Sequence, residues 1–120
     1  MAELILAFDL GTGGCKASLW SESAECVADY VANYNTLHPE AGRQEERPGD
    51  WWRAVIESTR ALSGSLEGHR IAGISLSGQS LGVVMLDSAL ERIGDTTPIW
   101  SDSRAGAETR DFFTRVSEDE

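Results

Sequence analysis

The residues best suited to chemistry in this 120-residue sequence begin at Asp9-Leu10-Gly11-Thr12-Gly13-Gly14-Cys15-Lys16. Glycines at 11, 13 and 14 let a backbone reach positive φ and approach a ligand closely, so several N–H groups can converge on phosphate oxygens. Thr12 adds a hydroxyl donor and Lys16 a positive charge. Asp9 brings a carboxylate that could hold magnesium through water, and the ion would neutralise a polyphosphate such as that of ATP. The competing reading is a plain hairpin turn, with glycines serving φ alone and Lys16 solvated. Other motifs fit less well. Gly11-Thr12-Gly13 lacks the last glycine of the dinucleotide fingerprint and leads into a strand-like segment rather than a helix. No Walker phosphate loop occurs.

A second polar cluster, Ser77-Gly78-Gln79-Ser80-Leu81-Gly82, is a glycine-bounded turn after an apolar run, where open α/β sheets expose ligand-binding groups. Gln79 can donate and accept, which suits hydroxyl-rich ligands; the plain alternative is an ordinary turn. Trp100 offers a flat apolar face, and Asp102 and Arg104 beyond it could fix hydroxyls or support their loop. Against this stands a core tryptophan followed by a helix cap and an exposed ion pair. Trp51 and Trp52 read as helix core, and Glu45 is the middle case, left out of the site because a loop glutamate is usually solvated. His38, His69 and Cys15 have no partners at ligand or triad spacing.

The elements that must position these groups follow from periodicity. Leu4 to Phe8, Cys15 to Trp20 and Glu25 to Asn33 read as three successive strands. Thr36 to Gly49, with its prolines, glycines and charges, suits a surface loop. Asp50 to Leu66 carries Trp51, Val55, Thr59, Leu62 and Leu66 at helical spacing, with Pro48 placed for its first turn. Ile71 to Ser77 is nearly continuously apolar, as in a strand buried on both faces. Val83 to Leu86 reads as another strand, Pro98-Ile99-Trp100 as a short buried segment, and Ala105 to Val116 as a helix with Thr109, Phe112 and Phe113 on one side. Ser117-Glu118-Asp119-Glu120 has the form of a capping box that opens a helix.

Composition narrows the class. With 41% hydrophobic and 25% charged residues the chain matches one soluble domain, and two cysteines are too few for a stapled secreted scaffold. A net charge of −10 disfavours nucleic acid and anionic membrane surfaces. The apolar start is too short for a span and lacks a basic flank, so a cytoplasmic location is expected.

Four stretches in order resemble the FGGY family of carbohydrate kinases, which share the fold of actin, hexokinase and the Hsp70 ATPases. Asp9-x-Gly11-Thr12-x-x-x-Lys16 is similar to the family's first phosphate loop. Gly42 to Trp52 resembles its Gly-x-x-Glu-Gln-Asp-Pro-x-x-Trp-Trp segment, Gly73 to Asp87 its substrate-loop strand pair, and Trp100-x-Asp102-x-Arg104 its Trp-x-Asp-x-Arg segment. The resemblance implies a ribonuclease-H-like α/β fold: a mixed sheet with an antiparallel three-strand meander and flanking helices. It also implies that the chain is the front part of the family's N-terminal domain, the rest of that domain and the C-terminal domain lying beyond it. The implied reaction is transfer of a phosphoryl group from ATP, with Mg2+, to a sugar or polyol hydroxyl, in the manner of a xylulokinase. Asp9, Gly11, Thr12, Gly13, Gly14 and Lys16 would then hold the nucleotide, with Asp9 on the metal through water. Gln79, Ser80, Leu81, Trp100, Asp102 and Arg104 would face the carbohydrate. The general-base aspartate is expected beyond residue 120, so the chain alone should be inactive, and the full-length protein is a candidate homodimer. Xylulokinases carry Met-His, and glycerol kinases Arg-Glu, where this sequence has Ser80-Leu81, which leaves the particular sugar open. The reading from another class is a non-catalytic interaction domain or truncated product.

Overall fold

The computed structural model describes residues 2–116. Strand β1 (Ala2–Leu10) alternates so that Leu4, Leu6 and Phe8 are buried on one face. β2 (Gly14–Ser21) returns antiparallel, setting Leu6 opposite Leu19 and Phe8 opposite Ala17, and β3 (Cys26–Asn33) continues with Ala32 opposite Cys15. The expected three-strand meander is therefore present.

After β3 comes a two-residue strand, β4 (Glu45–Glu46), and then α1 (Pro48–Leu62), which packs on that apolar face. Pro48 pre-sets the first turn, Asp50 lies at the positive end of the helix dipole, and Arg60 lies near its negative end. The fully buried line is Ala54, Ser58 and Leu62. Small residues there meet Cys15, Ala17 and Ala32, which lets the helix backbone approach the sheet closely. The predicted helix over 50–66 thus begins two residues earlier and gives way to a 3-10 turn over Ser63–Leu66. Trp52 is 66% exposed rather than core, because it lies about 100° round the helix from Trp51, which does pack inward.

β5 (His69–Gly78) joins β1 in parallel, giving the sheet order β3-β2-β1-β5. Its apolar run suggested burial on both faces, yet Ile74 and Leu76 are 65% and 69% exposed, since α1 lies over β2 and β3 instead. Val83 to Leu86 is not a strand. Only Leu86 bridges, to Arg92, and left-handed residues at Leu81 and Leu90 interrupt the extended path on either side. β6 (Thr97–Pro98) pairs with β4 as a separate ribbon, so of the later strands only β5 extends the main sheet, and the region read as a surface loop contains both a strand and the buried Glu46. Ile99 is buried as expected, but Trp100 is 55% exposed. α2 (Gly106–Phe113) is shorter than predicted and buries none of its residues; Phe112 and Phe113 meet edge to face but remain open to solvent. The capping-box sequence at 117–120 lies outside the described residues. Among the described residues no helix is long and apolar enough to cross a membrane.

Candidate functional site

Parallel pairing of β1 with β5 brings Leu10 and Gly78 side by side at the carboxyl ends of both strands, and Gln79 N–H donates to the Leu10 carbonyl at 3.0 Å. The two glycine turns therefore leave the sheet together, at the edge where open α/β sheets hold ligands. Between them lies an open cleft of about 320 Å³ lined by Asp9, Gly11, Thr12, Gly78, Gln79, Ser80 and Trp100. Residues proposed from sequence for a nucleotide and for a carbohydrate thus meet in one place. Trp100 joins them directly: its Nε1–H donates to Thr12 Oγ1 at 3.0 Å.

The glycine turn is anchored from behind by a residue the sequence reading missed. Buried Tyr34 donates its backbone N–H to the Gly13 carbonyl at 3.3 Å and its hydroxyl to the Gly11 carbonyl. Burial pushes the phenol above its ordinary pKa, so it stays a donor. In a trans peptide the C=O and the following N–H point opposite ways, so capture of the Gly11 oxygen turns the Thr12 N–H away from Tyr34. The Gly11 N–H closes the turn on the Gly14 carbonyl at 3.0 Å, whereas the amides of Thr12 and Gly13 take no main-chain acceptor among the described residues. Of these two amides, that of Thr12 belongs to a residue that lines the cleft.

The glycines serve a different purpose from the one expected. None of Gly11, Gly13 and Gly14 has positive φ. A Cβ on Gly14 would stand 2.8 Å from the Ala32 carbonyl, so β3 requires glycine there, while one on Gly13 would meet nothing within 4 Å. Asp9 is exposed at the cleft and makes no ion pair or side-chain hydrogen bond among the described residues, which leaves its carboxylate available to the water shell of a cation. Lys16 pairs across the strands with Asp9 and is exposed, but neither it nor Gly13 and Gly14 lines the cleft. Among the described residues no cluster of three or more metal-ligating side chains occurs.

On the other side, Glu46 is 1% exposed and takes three donors: Thr36 Oγ1 at 3.0 Å on Oε1, and Trp51 Nε1 at 2.7 Å and Gln79 Nε2 at 2.9 Å on Oε2. The clue available in the sequence was Trp51, since a packed indole N–H needs an acceptor nearby. Gln79 Oε1 is buried without a partner. Ser80 lines the cleft; Leu81 does not, and projects into solvent with φ 61°, a conformation bulky side chains rarely adopt.

Asp102 and Arg104 do not line the cleft. Asp102 Oδ2 accepts the Gln44 N–H at 2.7 Å, and Arg104 donates Nε to Asp102 Oδ1 at 2.9 Å and Nη2 to both Asp102 Oδ2 at 2.7 Å and Glu45 Oε1 at 2.6 Å. Thr96 adds its hydroxyl to Glu45 Oε2 at 2.6 Å. Bonding to Arg104 holds the Asp102 carboxyl well below the usual carboxylate range, and bonds from Thr96 and Arg104 lower that of Glu45. Glu45 is thus no solvated loop side chain but one jaw of a clasp that fastens the segment carrying Trp100 to β4.

A mixed sheet of this order, with a meander, a covering helix and a strand returning in parallel, places the chain in the ribonuclease-H-like class of α/β ATPase folds. The model of the FGGY family of carbohydrate kinases, N-terminal domain, matches residues 4–119, and the chain belongs to that family. It is 32% identical over 108 residues to a xylulose kinase of Staphylococcus xylosus, covering 90% of this chain and 22% of that protein. Among solved structures it is similar to a gluconate kinase from Lactobacillus acidophilus, at 28% identity and a TM-score of 0.89 over 96% of this chain and 23% of that one. A ligand-bound xylulose kinase from the same organism matches at 28% identity and a TM-score of 0.87, over 94% of this chain and 23% of that one. The chain therefore spans about a fifth to a quarter of the length of these relatives.

Proposed function

We propose that this chain supplies the phosphate loop and part of the carbohydrate site of a cytoplasmic kinase that transfers a phosphoryl group from ATP to a sugar or polyol hydroxyl. The observation that carries this reading is the single cleft where the Gly11–Gly14 turn, the turn beginning at Gln79 and Trp100 meet. The free Thr12 and Gly13 amides and the Thr12 hydroxyl would hold the terminal phosphates, with Lys16 offsetting their charge in an otherwise acidic chain. Asp9 would keep a hydrated magnesium ion, which when bound neutralises the phosphates. Gln79 and Ser80 would address hydroxyls, and Trp100 would cover the C–H face of the carbohydrate. In such a transfer positioning and charge stabilisation carry most of the rate.

Asp102 and Arg104 would act through the loop they fasten, and Leu81 through the shape of the rim. The family resemblance supplies the further expectation that the general base comes from outside these residues. Incubating the chain with magnesium ATP and D-xylulose, gluconate or glycerol, and following ADP release, tests this assignment. No turnover above buffer is expected; robust turnover would show that the base is present after all.

A further inference from the structure

Gln79 carries one donor end and one acceptor end, and which of them a ligand meets decides what the site can recognise. Glu46 settles the choice. Its Oε2 already accepts the indole N–H of Trp51, a group that can only donate, so the Gln79 atom 2.9 Å away must be the amide nitrogen; an amide oxygen there would leave two acceptors in contact. Thr36 fills Oε1 and fixes the carboxylate from its other side. The amide oxygen of Gln79 is left over, buried and unpartnered, in a side chain that walls both the cleft and an adjoining cavity of about 150 Å³ bounded by Leu10, Trp51 and Val84. Apolar walls supply no donor to that oxygen, and an unmet buried acceptor is costly unless something fills it.

We propose that Glu46 is a positioning residue that locks the Gln79 amide with one N–H on its carboxylate, so that the amide oxygen is left as the acceptor and the site takes a ligand hydroxyl as donor. The ligand half of this statement rests on the carbohydrate reading above; the orientation half does not. The family pattern to which Gly42 to Trp52 is similar has Gln at the place of Glu46, and a glutamine can still accept from Trp51 and Gln79 through its oxygen while its nitrogen donates to Thr36.

The test is NMR of the side-chain amides in the full chain, with Glu46→Gln and Glu46→Leu. In the unsubstituted chain and in Glu46→Gln, one Gln79 Nε2 proton should be shifted downfield and protected from exchange. In Glu46→Leu the pair should move to free-amide positions while backbone spectra keep the fold. Titration with D-xylulose should then show an affinity within about twofold for Glu46→Gln and weakened about tenfold or more for Glu46→Leu. An unprotected Gln79 amide in the unsubstituted chain, its loss in Glu46→Gln, or an unchanged amide in a folded Glu46→Leu would each overturn the proposal. If D-xylulose, gluconate and glycerol all fail to bind the unsubstituted chain, the carbohydrate reading and the ligand half fall together, while the amide spectra still decide the orientation.

Discussion

Gly13 and Gly14 are neighbours with opposite requirements, and the difference can be measured. Gly14→Ala drives a Cβ against the Ala32 carbonyl and should lose about 1–3 kcal/mol of stability, whereas Gly13→Ala, entering open space, should leave the melting temperature within error. Thermal unfolding of both variants checks this. The clasp of Arg104 on Asp102 and Glu45 makes a statement about pH. Both carboxyls titrate below their ordinary values of 3.8 and 4.5, so the stability they add is complete above those values and is lost as pH falls through the lower folded-state ones. Arg104→Met should therefore lower the melting temperature at neutral pH, with the gap to the parent chain closing in strongly acidic solution. A gap independent of pH would mean that the arginine stabilises by packing alone. Of the candidate site, the sequence motifs made legible which residues come together: Asp9, Gly11, Thr12, Gln79, Ser80 and Trp100 share a cleft. Tyr34 and Glu46 were not legible, because each acts through a contact with a residue distant in sequence, Gly11 for one and Gln79 for the other. For Asp102 and Arg104 the sequence left open whether they fix hydroxyls or support their loop, because local spacing does not reveal the distant partner Glu45 on which Arg104 closes.

At the scale of elements, what holds the site is the layer formed by α1 and the meander. Leu19, buried at the centre of that layer, should cost about 2–5 kcal/mol when cut to Ala, while Trp52→Ala on the solvent side of α1 should stay within about 0.5 kcal/mol. Chemical denaturation distinguishes the two, and equal losses would place the core elsewhere. β1, β2 and α1 were readable because their period-two and helical patterns are each satisfied by contacts within the described chain, whereas β3 buries only Ala32 and leaves Val27 and Val31 exposed. β5 and Val83 to Leu86 misled for a shared reason: apolar composition reports that a segment is suited to burial, not that anything covers it. Helical periodicity put Trp51 on the apolar stripe, and it packs inward, but the line that meets the sheet most closely runs through the small residues Ala54 and Ser58, which leaves Trp52 in solvent.

The molecule as a whole is extended, 59 × 33 × 30 Å with a radius of gyration of 18.5 Å, where a compact domain of this length has about 14 Å. Ile74, Leu76, the apolar residues of the 81–93 segment and the two phenylalanines of α2 stand exposed along it. An isolated chain with so much uncovered apolar surface should bind a hydrophobic dye and scatter light as an associating species; a dye-silent monomer would contradict this. None of it bears on the Gly11–Gly14 turn, which the meander and Tyr34 hold by themselves, and on that turn the functional account stands. The most direct measurement is calorimetric titration of the chain with magnesium ATP, beside Asp9→Ala, Gly13→Val and, as a control distant from the cleft, Trp52→Ala. Magnesium-dependent binding that survives in Trp52→Ala and is abolished by Asp9→Ala and by Gly13→Val is the predicted result. Binding indifferent to Asp9 and Gly13, or no binding by a folded chain, would show that the turn is a connection between strands and nothing more.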